Sequence, residues 1–422
     1  MTERLLQFIW QFRYFNASGL RTTNGEPVYI FYPGSLNTRQ GPDFLEARIK
    51  IGEVLWIGNV EAHLLSSGWI QHRHHRDPNY DNVILHVVWA DDDKYPVCGV
   101  PVVILQDRTA KLLLDKYERW MNSRLAIPCA GSLKTVEEIK WIAWKERLLI
   151  ERMQRKYAQA SRRLQQNNGH WEETCWWMLA RNFGLSVNAE AFEEMARSIP
   201  VSLLVRHKNQ LYQLESLLLG QTGALAGHFT GEYPLALQEE YRFLRRKYSM
   251  SGINIPLHFL RMRPMGFPTV RLAQLAMLIH QSAPFFARIK ESAGIGELKQ
   301  LFQATAGDYW HHHYLVDQAS AYRPKKLGRQ MVNNIIINTA APIMFAYGRL
   351  HQEQACMEKA MDWIRQAEAE KNAIARSFAA LGLNSLDAAD SQALIELKTR
   401  YCDKRKCLDC AIGHAILGGS HS

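Results

Sequence analysis

The spacing of hydrophobic positions changes twice along the chain. Leu5, Phe8, Ile9 and Phe12 fall at i, i+3, i+4 and i+7, which predicts an amphipathic helix near the N-terminus. The next stretch holds short runs of β-branched and aromatic residues bounded by Gly, Pro and Asn, which is typical of strands. These runs predict strands at residues 28–32, 44–51, 54–63, 82–89 and 100–105.

From about residue 109 the hydrophobic spacing is that of long helices. The predicted helices cover residues 110–123, 136–165, 171–183, 189–197, 234–248 and 355–381. Neither a strict repeat nor a low-complexity tract interrupts them. We therefore predict an α+β protein with two domains, a β-rich domain at residues 1–107 and a helical domain at residues 108–422 that ends in a cysteine-rich segment.

The segments 41–44 (Gly-Pro-Asp-Phe) and 58–63 (Gly-Asn-Val-Glu-Ala-His) carry the most specific chemistry. Residues two apart on a strand point to one face, so Glu61 and His63 should project together, and Asp43 at the mouth of the preceding antiparallel strand can face the same cleft. Two converging carboxylates suit Mg²⁺ or Mn²⁺, which can activate water for phosphodiester hydrolysis. The simpler alternative is that Asp43 caps a turn and Glu61 pairs with a surface arginine.

The order of these features resembles the core of the PD-(D/E)XK nuclease superfamily. Over residues 3–107 a helix and a strand precede Pro42-Asp43, and Glu61-x-His63 lies on the hairpin partner before another helix and strand. The resemblance implies a mixed sheet flanked by helices, with Asp43 and Glu61 as metal ligands. His63 stands where the superfamily normally has lysine, and histidine lacks a permanent charge. This leaves open a variant mechanism, in which His63→Lys preserves or raises activity, or a site that has lost catalysis.

A second resemblance spans nearly the whole chain. The chain is similar to an uncharacterised bacterial family, domain of unknown function 2851, which implies no established activity. The segments that carry this similarity are residues 41–44, 58–63, 82–88, 263–268 and 401–410.

Five of the sixteen histidines fall between His63 and His86. The simplest interpretation is a buried His86 in a strand and an exposed helix end at residues 72–75. Alternatively, one or two of these imidazoles bind metal or act as general acid or base. A zinc hydrolase built from His63, His72 or His86 with a carboxylate is the rival hypothesis, although the HExxH spacing that marks many zinc hydrolases is absent.

The chain has 51 Lys and Arg residues against 41 Asp and Glu residues, a net charge of +10 that favours polyanionic partners. Arginines interleaved with aromatic residues suit phosphate contact and base stacking, so we expect a nucleic-acid partner. The alternative is that these arginines lie on ordinary solvated helix faces. The candidate binding residues are Arg242, Arg245, Arg246, Arg261 and Arg263.

The C-terminal region contains Cys402, Cys407, Cys410 and His414 at a spacing typical of metal ligands. Sulfur ligands select zinc or an iron–sulfur cluster. The fourth ligand could instead be a distant thiol, with Cys129 and Cys356 as examples. Unpaired structural thiols and a redox role are the alternatives. An odd total of seven cysteines argues against a disulfide framework.

No basic stretch followed by an apolar run opens the sequence, and no run reaches about 18 uninterrupted apolar residues. We therefore expect a cytoplasmic protein without a membrane span. The function expected from the sequence is that of a metal-dependent nuclease or nuclease-like phosphodiesterase acting on DNA or RNA. The alternatives are a catalytically inactive nucleic-acid-binding protein with a nuclease-like fold, and a zinc-dependent small-molecule hydrolase.

Overall fold

The computed structural model describes residues 1–92 and 99–419, and it confirms the α+β class with a large helical region. The chain forms two compact units: Met1–Trp144 with Leu397–Ser422, and Lys145–Glu396. The boundary expected after residue 107 therefore falls inside the first unit. The helical segment that follows residue 107 belongs to this unit because it packs against the last helix of the chain.

A six-stranded mixed sheet occupies the first unit. Its spatial order is β1-β3-β4-β5-β6, and β2 pairs with β3. The pairs β1–β3 and β3–β4 are antiparallel, whereas β4–β5 and β5–β6 are parallel. The strands are β1 (Val28–Tyr32), β2 (Ser35–Leu36), β3 (Phe44–Ile51), β4 (Val54–Leu65), β5 (Val83–Ala90) and β6 (Val102–Ile104).

The contact between β4 and β5 depends on a glycine. A Cβ atom at Gly58 would lie 2.4 Å from Cγ2 of Ile84 and 2.7 Å from the carbonyl oxygen of Asn82, so only glycine lets β4 enter the parallel pairing here. Strand β5 is buried on both faces from Val83 to Val88, as its nearly continuous apolar sequence predicts. The resulting register places Glu61 opposite His86.

Four helices belong to the first unit: α1 (Glu3–Gln11), α2 (Gly68–Gln71), α3 (Lys111–Asn122) and α19 (Ala411–Gly418). The Thr2 side chain caps α1, which buries its apolar face and contacts β4. Helix α1 is shorter than the periodicity suggested because Arg13 adopts a left-handed conformation with φ of 55°.

The second unit is mainly helical, and a small hairpin of β7 (His313–Leu315) and β8 (Gln318–Ala319) corrects the expectation of an all-helical domain. The predicted helix over residues 355–381 is two helices. The chain leaves the first at Ala367, and Glu368 then bridges to Asp387. The helices are α4 (Glu138–Gln166), which begins in the first unit, α5 (Trp171–Phe183), α6 (Ala189–Ser198), α7 (Val201–His207), α8 (Leu211–Gln221), α9 (Glu232–Lys247), α10 (Pro268–Ser282), α11 (Phe285–Glu291), α12 (Ile295–Leu301), α13 (Asp308–His311), α14 (Arg329–Ile335), α15 (Ala341–His351), α16 (Gln354–Gln366), α17 (Ala373–Ala379) and α18 (Ala388–Glu396).

Within the described ranges, no helix combines the length and the apolar character that a membrane span requires.

Glu215 on α8 is a buried acid whose titration should affect stability. Its Oε2 accepts hydrogen bonds from the Tyr233 hydroxyl at 2.7 Å and from Trp310 Nε1 at 3.0 Å, and burial raises the pKa of this carboxyl to about 7. The folded pKa lies above the unfolded value of 4.5, so the contribution of this group to stability is lost as pH rises between those values.

We expect Glu215→Gln to remove this pH dependence. From pH 4.5 to pH 8, the free energy of unfolding of the variant should rise relative to the parent by on the order of 3 kcal/mol. Denaturant titrations across this range measure the difference, with the exposed Glu232→Gln as the control. A difference that does not change with pH would show that Glu215 is ionised in the folded protein.

Candidate metal centre

The acids and histidines singled out in the sequence meet where β4 and β5 run parallel. Glu61 and His63 lie on β4, and His86 lies on β5 at the position paired with Glu61. The chain between these strands forms α2, which is followed by His72, and a short turn at His74–Arg76 that supplies two further histidines. Asp43 immediately precedes β3, and Gln7 of α1 reaches it from the side.

One hydrogen bond joins Asp43 and Glu61. The backbone N–H of Asp43 donates to Glu61 Oε2 at 2.9 Å. The two oxygens of Asp43 accept hydrogen bonds of their own, Oδ1 from Gln7 Nε2 at 2.8 Å and Oδ2 from the backbone N–H of Ala62 at 3.2 Å. Asp43 therefore braces Glu61, and the second Glu61 oxygen, Oε1, faces the histidines.

Two imidazoles approach that oxygen, and a third lies beside one of them. His63 Nε2 lies 3.6 Å and His74 Nε2 3.3 Å from Glu61 Oε1. His63 Nε2 also lies 3.2 Å from His72 Nδ1, and ring nitrogens of the three histidines all lie within 4.8 Å of one another. We call these four residues the Glu61–histidine cluster.

Some separations within the cluster match those between ligands of a single ion. With metal–nitrogen bonds of about 2.1 Å, neighbouring ligand atoms of one ion are separated by about 3.0–3.4 Å in octahedral or tetrahedral geometry. Two of the measured separations, 3.2 and 3.3 Å, fall in this interval, and the third is 3.6 Å. In addition, His74 Nε2 is buried without a hydrogen-bond partner. The donor set therefore fits one transition-metal ion.

Residues around the cluster hold the imidazoles in place. His63 Nδ1 lies 2.9 Å from Nε2 of the fully buried His86, which leaves His63 Nε2 directed at the cluster. The ring of His74 stacks on Tyr80 with centroids 3.8 Å apart. A Cβ at Gly68 would lie 2.9 Å from His63 Cγ, so only glycine allows the start of α2 to pack this close to the His63 ring.

Burial suppresses the charge of these groups. Burial raises the pKa of Glu61 to about 8, and the neighbouring Asp43 carboxylate adds to this shift. Burial together with the surrounding histidines lowers the pKa of His63 to about 2 and that of His74 to about 4. Near neutral pH the imidazoles of His63 and His74 are therefore neutral and offer lone pairs to a metal, whereas Glu61 must lose a proton to bind one.

The sequence offered His74 only as one of five clustered histidines and did not single it out. Residues 72–75 were expected to form an exposed helix end, but α2 ends at Gln71 and Arg73 adopts a left-handed conformation with φ of 61°. The left-handed conformation of Arg73 changes the direction of the chain, so the His74 side chain is buried and His75 is exposed. The density of histidines was the available sequence signal, since a single left-handed residue leaves no periodic pattern.

The candidate nucleic-acid-binding arginines lie in the second unit, and all five are exposed. Three of them share the C-terminal end of α9 with Phe243, which is 51% exposed, and with Lys247, whose ammonium lies 5.5 Å from the Phe243 ring centroid. We call the five the arginine group: Arg242, Arg245, Arg246, Arg261 and Arg263.

The four predicted C-terminal ligands do not all face one point. Cys402, Cys407 and Cys410 are buried free thiols, but the His414 ring packs among the rings of Phe8, Phe12 and Tyr14, with centroids 5.4, 4.0 and 5.6 Å away. Of the alternative fourth ligands, the Cys356 thiol contacts Glu353, whereas Cys129 is a buried free thiol that immediately precedes a 3-10 helix at Ala130–Thr135. The seventh cysteine, Cys98, lies outside the described residues.

Comparison with known proteins identifies a family. No curated protein and no solved structure matches the chain. A family model described as "Protein of unknown function (DUF2851)" matches residues 3–373. This range includes the Glu61–histidine cluster and the arginine group. The chain therefore belongs to the DUF2851 family.

Proposed function

We propose that the protein is a metal-dependent phosphodiesterase that cleaves nucleic acid, and that the Glu61–histidine cluster holds the catalytic ion. Two observations carry this proposal: ring nitrogens of His63, His72 and His74 lie within 4.8 Å of one another, and Glu61 Oε1 lies 3.6 and 3.3 Å from two of these imidazoles. His74 Nε2 is buried without a hydrogen-bond partner, which costs free energy unless an ion binds it.

The donor set favours a transition metal over Mg²⁺. Imidazole suits zinc, iron and other transition ions, whereas Mg²⁺ requires oxygen ligands and retains its waters. Mn²⁺ accepts both oxygen and imidazole ligands. It was expected at the carboxylates of Asp43 and Glu61, and it remains a candidate for this site. When bound, the ion would lower the pKa of water and offset charge that develops on the phosphate.

The protein's own residues have separable roles in this scheme. Glu61 supplies the anionic ligand once it has lost its proton, and Asp43 positions it through the backbone hydrogen bond. His86 orients His63 from the side away from the cluster. Arg73 and Arg76 are exposed and adjoin cluster histidines in the chain, so they supply positive charge for substrate phosphates.

Three features support a nucleic acid as the substrate. The mixed sheet with flanking helices agrees with the architecture that the nuclease resemblance implies. The net charge of +10 attracts polyanions, and the exposed arginine group, with Phe243 beside it, suits phosphate and base contacts.

A zinc-dependent hydrolase of small molecules is the second candidate, because three imidazoles and one carboxylate also suit Zn²⁺. Labelled single- and double-stranded DNA, RNA and a chromogenic phosphodiester, each assayed with Mg²⁺, Mn²⁺ and Zn²⁺, separate the two functions. The proposal requires metal-dependent cleavage of at least one nucleic acid. Turnover of the chromogenic ester alone would favour the second candidate, and nucleic-acid binding without cleavage would favour an inactive binding protein.

Metal binding should release a proton from Glu61. At pH 7 the pKa of about 8 keeps Glu61 largely protonated, while His63 and His74 are already neutral. Calorimetric titration with Mn²⁺ in buffers of different ionisation enthalpy should show release of about one proton per chain. In Glu61→Gln this release should vanish, and a parent protein that releases no proton would contradict the assignment of Glu61 as the anionic ligand.

The arginine group should control affinity for nucleic acid. If it contacts phosphates, the double substitution Arg242→Ala and Arg246→Ala should weaken binding of all sequences and flatten the plot of log affinity against log salt by about 0.9 per lost contact. Exposed Arg376→Ala, on α17 of the same unit, is the matched control. An unchanged salt slope in the double variant would exclude these arginines from the binding surface.

A further inference from the structure

One face of the sheet carries aromatic, basic and aliphatic side chains where β1, β3 and β4 run side by side. Residues that pair across neighbouring strands share a face, and here the pairing forms two rows. Each row runs from a tyrosine on β1 through a cation on β3 to an aliphatic residue on β4. We call these residues the sheet platform: Tyr29, Lys50 and Leu55 in one row, and Tyr32, Arg48 and Ile57 in the other.

The sheet platform is open to solvent. Tyr29 is 59% exposed, Leu55 56% and Ile57 63%. The alternate positions of β3 point the other way, and their side chains, such as Ile49 and Ile51, are buried. A group of large exposed apolar side chains on a sheet face indicates a binding surface.

The platform lies on the side of β4 that leads to the Glu61–histidine cluster. Side chains alternate along a strand, so Ile57, Asn59, Glu61 and His63 face the same side. Ile57 and Glu61 are four residues apart, about 13 Å along the strand. The start of α2 covers this side of the sheet at His63. The open platform therefore ends where the cluster begins.

The chemistry of the platform favours single-stranded nucleic acid over a second copy of the chain. Tyrosine rings stack on bases, which a duplex keeps in its interior, and the two cations can contact phosphates. A two-fold interface would bring the same patch of two copies together. It would place Arg48 and Lys50 against a surface that contains no acid among its six residues. The ion pair between Lys50 and Glu53 lies at the surface, so a phosphate can replace it at little cost.

We propose that the sheet platform binds single-stranded nucleic acid and directs it to the Glu61–histidine cluster. Bases stack on Tyr29 and Tyr32, and Arg48 and Lys50 contact the phosphates. This inference rests on the proposed function, because it specifies the form of the substrate. The binding itself requires no metal, so it is measured separately from cleavage.

Fluorescence anisotropy with a labelled single strand and its duplex, in EDTA, tests the platform. The parent should bind the single strand more tightly than the duplex. The double substitution Tyr29→Ala and Tyr32→Ala should weaken single-strand binding at least about tenfold, because stacking on both rings is lost. The corresponding double substitution to phenylalanine keeps the rings and should bind like the parent. Exposed Trp56→Ala is the matched control, since this residue pairs with buried Ile49 on the opposite face.

Arg48→Ala provides a second test that leaves the aromatic rings in place. It should flatten the plot of log affinity against log salt by about 0.7, the value for one phosphate contact with a single strand. Unchanged affinity in the alanine double variant together with an unchanged salt slope in Arg48→Ala would overturn the proposal. A preference of the parent for the duplex would also overturn it. So would sedimentation showing that the tyrosine substitutions turn a dimer into a monomer without weakening binding.

Cleavage distinguishes failure of this inference from failure of the proposed function. A protein that binds single strands through the platform but cleaves nothing with any metal would refute only the phosphodiesterase. An enzyme whose cleavage of single strands keeps the parental KM in the alanine double variant would refute only the platform. If both hold, KM should rise in that variant while kcat changes little, because the substituted rings lie outside the cluster.

Discussion

Glutamine in place of Glu61 is expected to reduce metal-dependent cleavage by at least about a hundredfold, because loss of a mere supporting group around a metal already costs about 10- to 100-fold and Glu61 is a proposed ligand. Glu61 supplies the oxygen that faces His63 and His74, and the substitution removes its negative charge while keeping its size. Because the pKa of Glu61 is raised to about 8, glutamine resembles the protonated side chain of the metal-free protein. The melting temperature should therefore fall little or rise.

Initial rates over a range of metal concentrations, together with thermal melts, measure both effects. The matched control is Glu53→Gln, because Glu53 has a side chain that is 94% exposed. It should cleave and melt like the parent. A Glu61→Gln enzyme with parental rates at every metal concentration would remove Glu61 from the reaction.

Lysine at position 63 is expected to abolish activity and to destabilise the first unit, the reverse of what the nuclease resemblance implied. The His63 side chain is 3% exposed, contacts His72 and His86 and lies 3.6 Å from Glu61 Oε1. A buried ammonium beside the protonated carboxyl of Glu61 would lack an ionised partner, which costs on the order of 3–5 kcal/mol, and an ion pair with ionised Glu61 would occupy the proposed anionic ligand. The substitution also removes one proposed ligand.

The exposed His75→Lys in the same segment is the matched control and should retain activity and stability. Cleavage assays combined with Mn²⁺ titrations distinguish loss of the ion from loss of the fold. A His63→Lys variant that folds, cleaves as well as the parent and binds Mn²⁺ normally would restore the role that the superfamily gives to lysine.

The ends of the elements that were predicted well are set by the local sequence. Strand β3 and helix α5 begin and end where the hydrophobic pattern indicated, since turn residues or loss of periodicity bound them directly. The break after α16 and the extent of the first unit depend on contacts between distant segments, such as the bridge from Glu368 to Asp387. No local pattern encodes such contacts.

In the candidate site, too, local sequence predicts some features and contacts between distant segments determine others. Strand alternation places Glu61 and His63 on one face, and the structure has them within 3.6 Å of each other. The inward turn of His74 depends on one left-handed residue, Arg73. The packing of His414 against Phe8 and Phe12 joins the two ends of the chain, so no local pattern showed that this ring lies among aromatic side chains.

Anomalous diffraction from Mn²⁺-soaked crystals, recorded in the same buffer in which cleavage is measured, tests the central claim most directly. The account predicts one anomalous peak within bonding distance of Glu61 Oε1 and of ring nitrogens of His63, His72 and His74, with Asp43 outside its coordination sphere. A peak bound by the carboxylates of Asp43 and Glu61 without any imidazole, or no peak in a protein that cleaves nucleic acid with Mn²⁺, would contradict it.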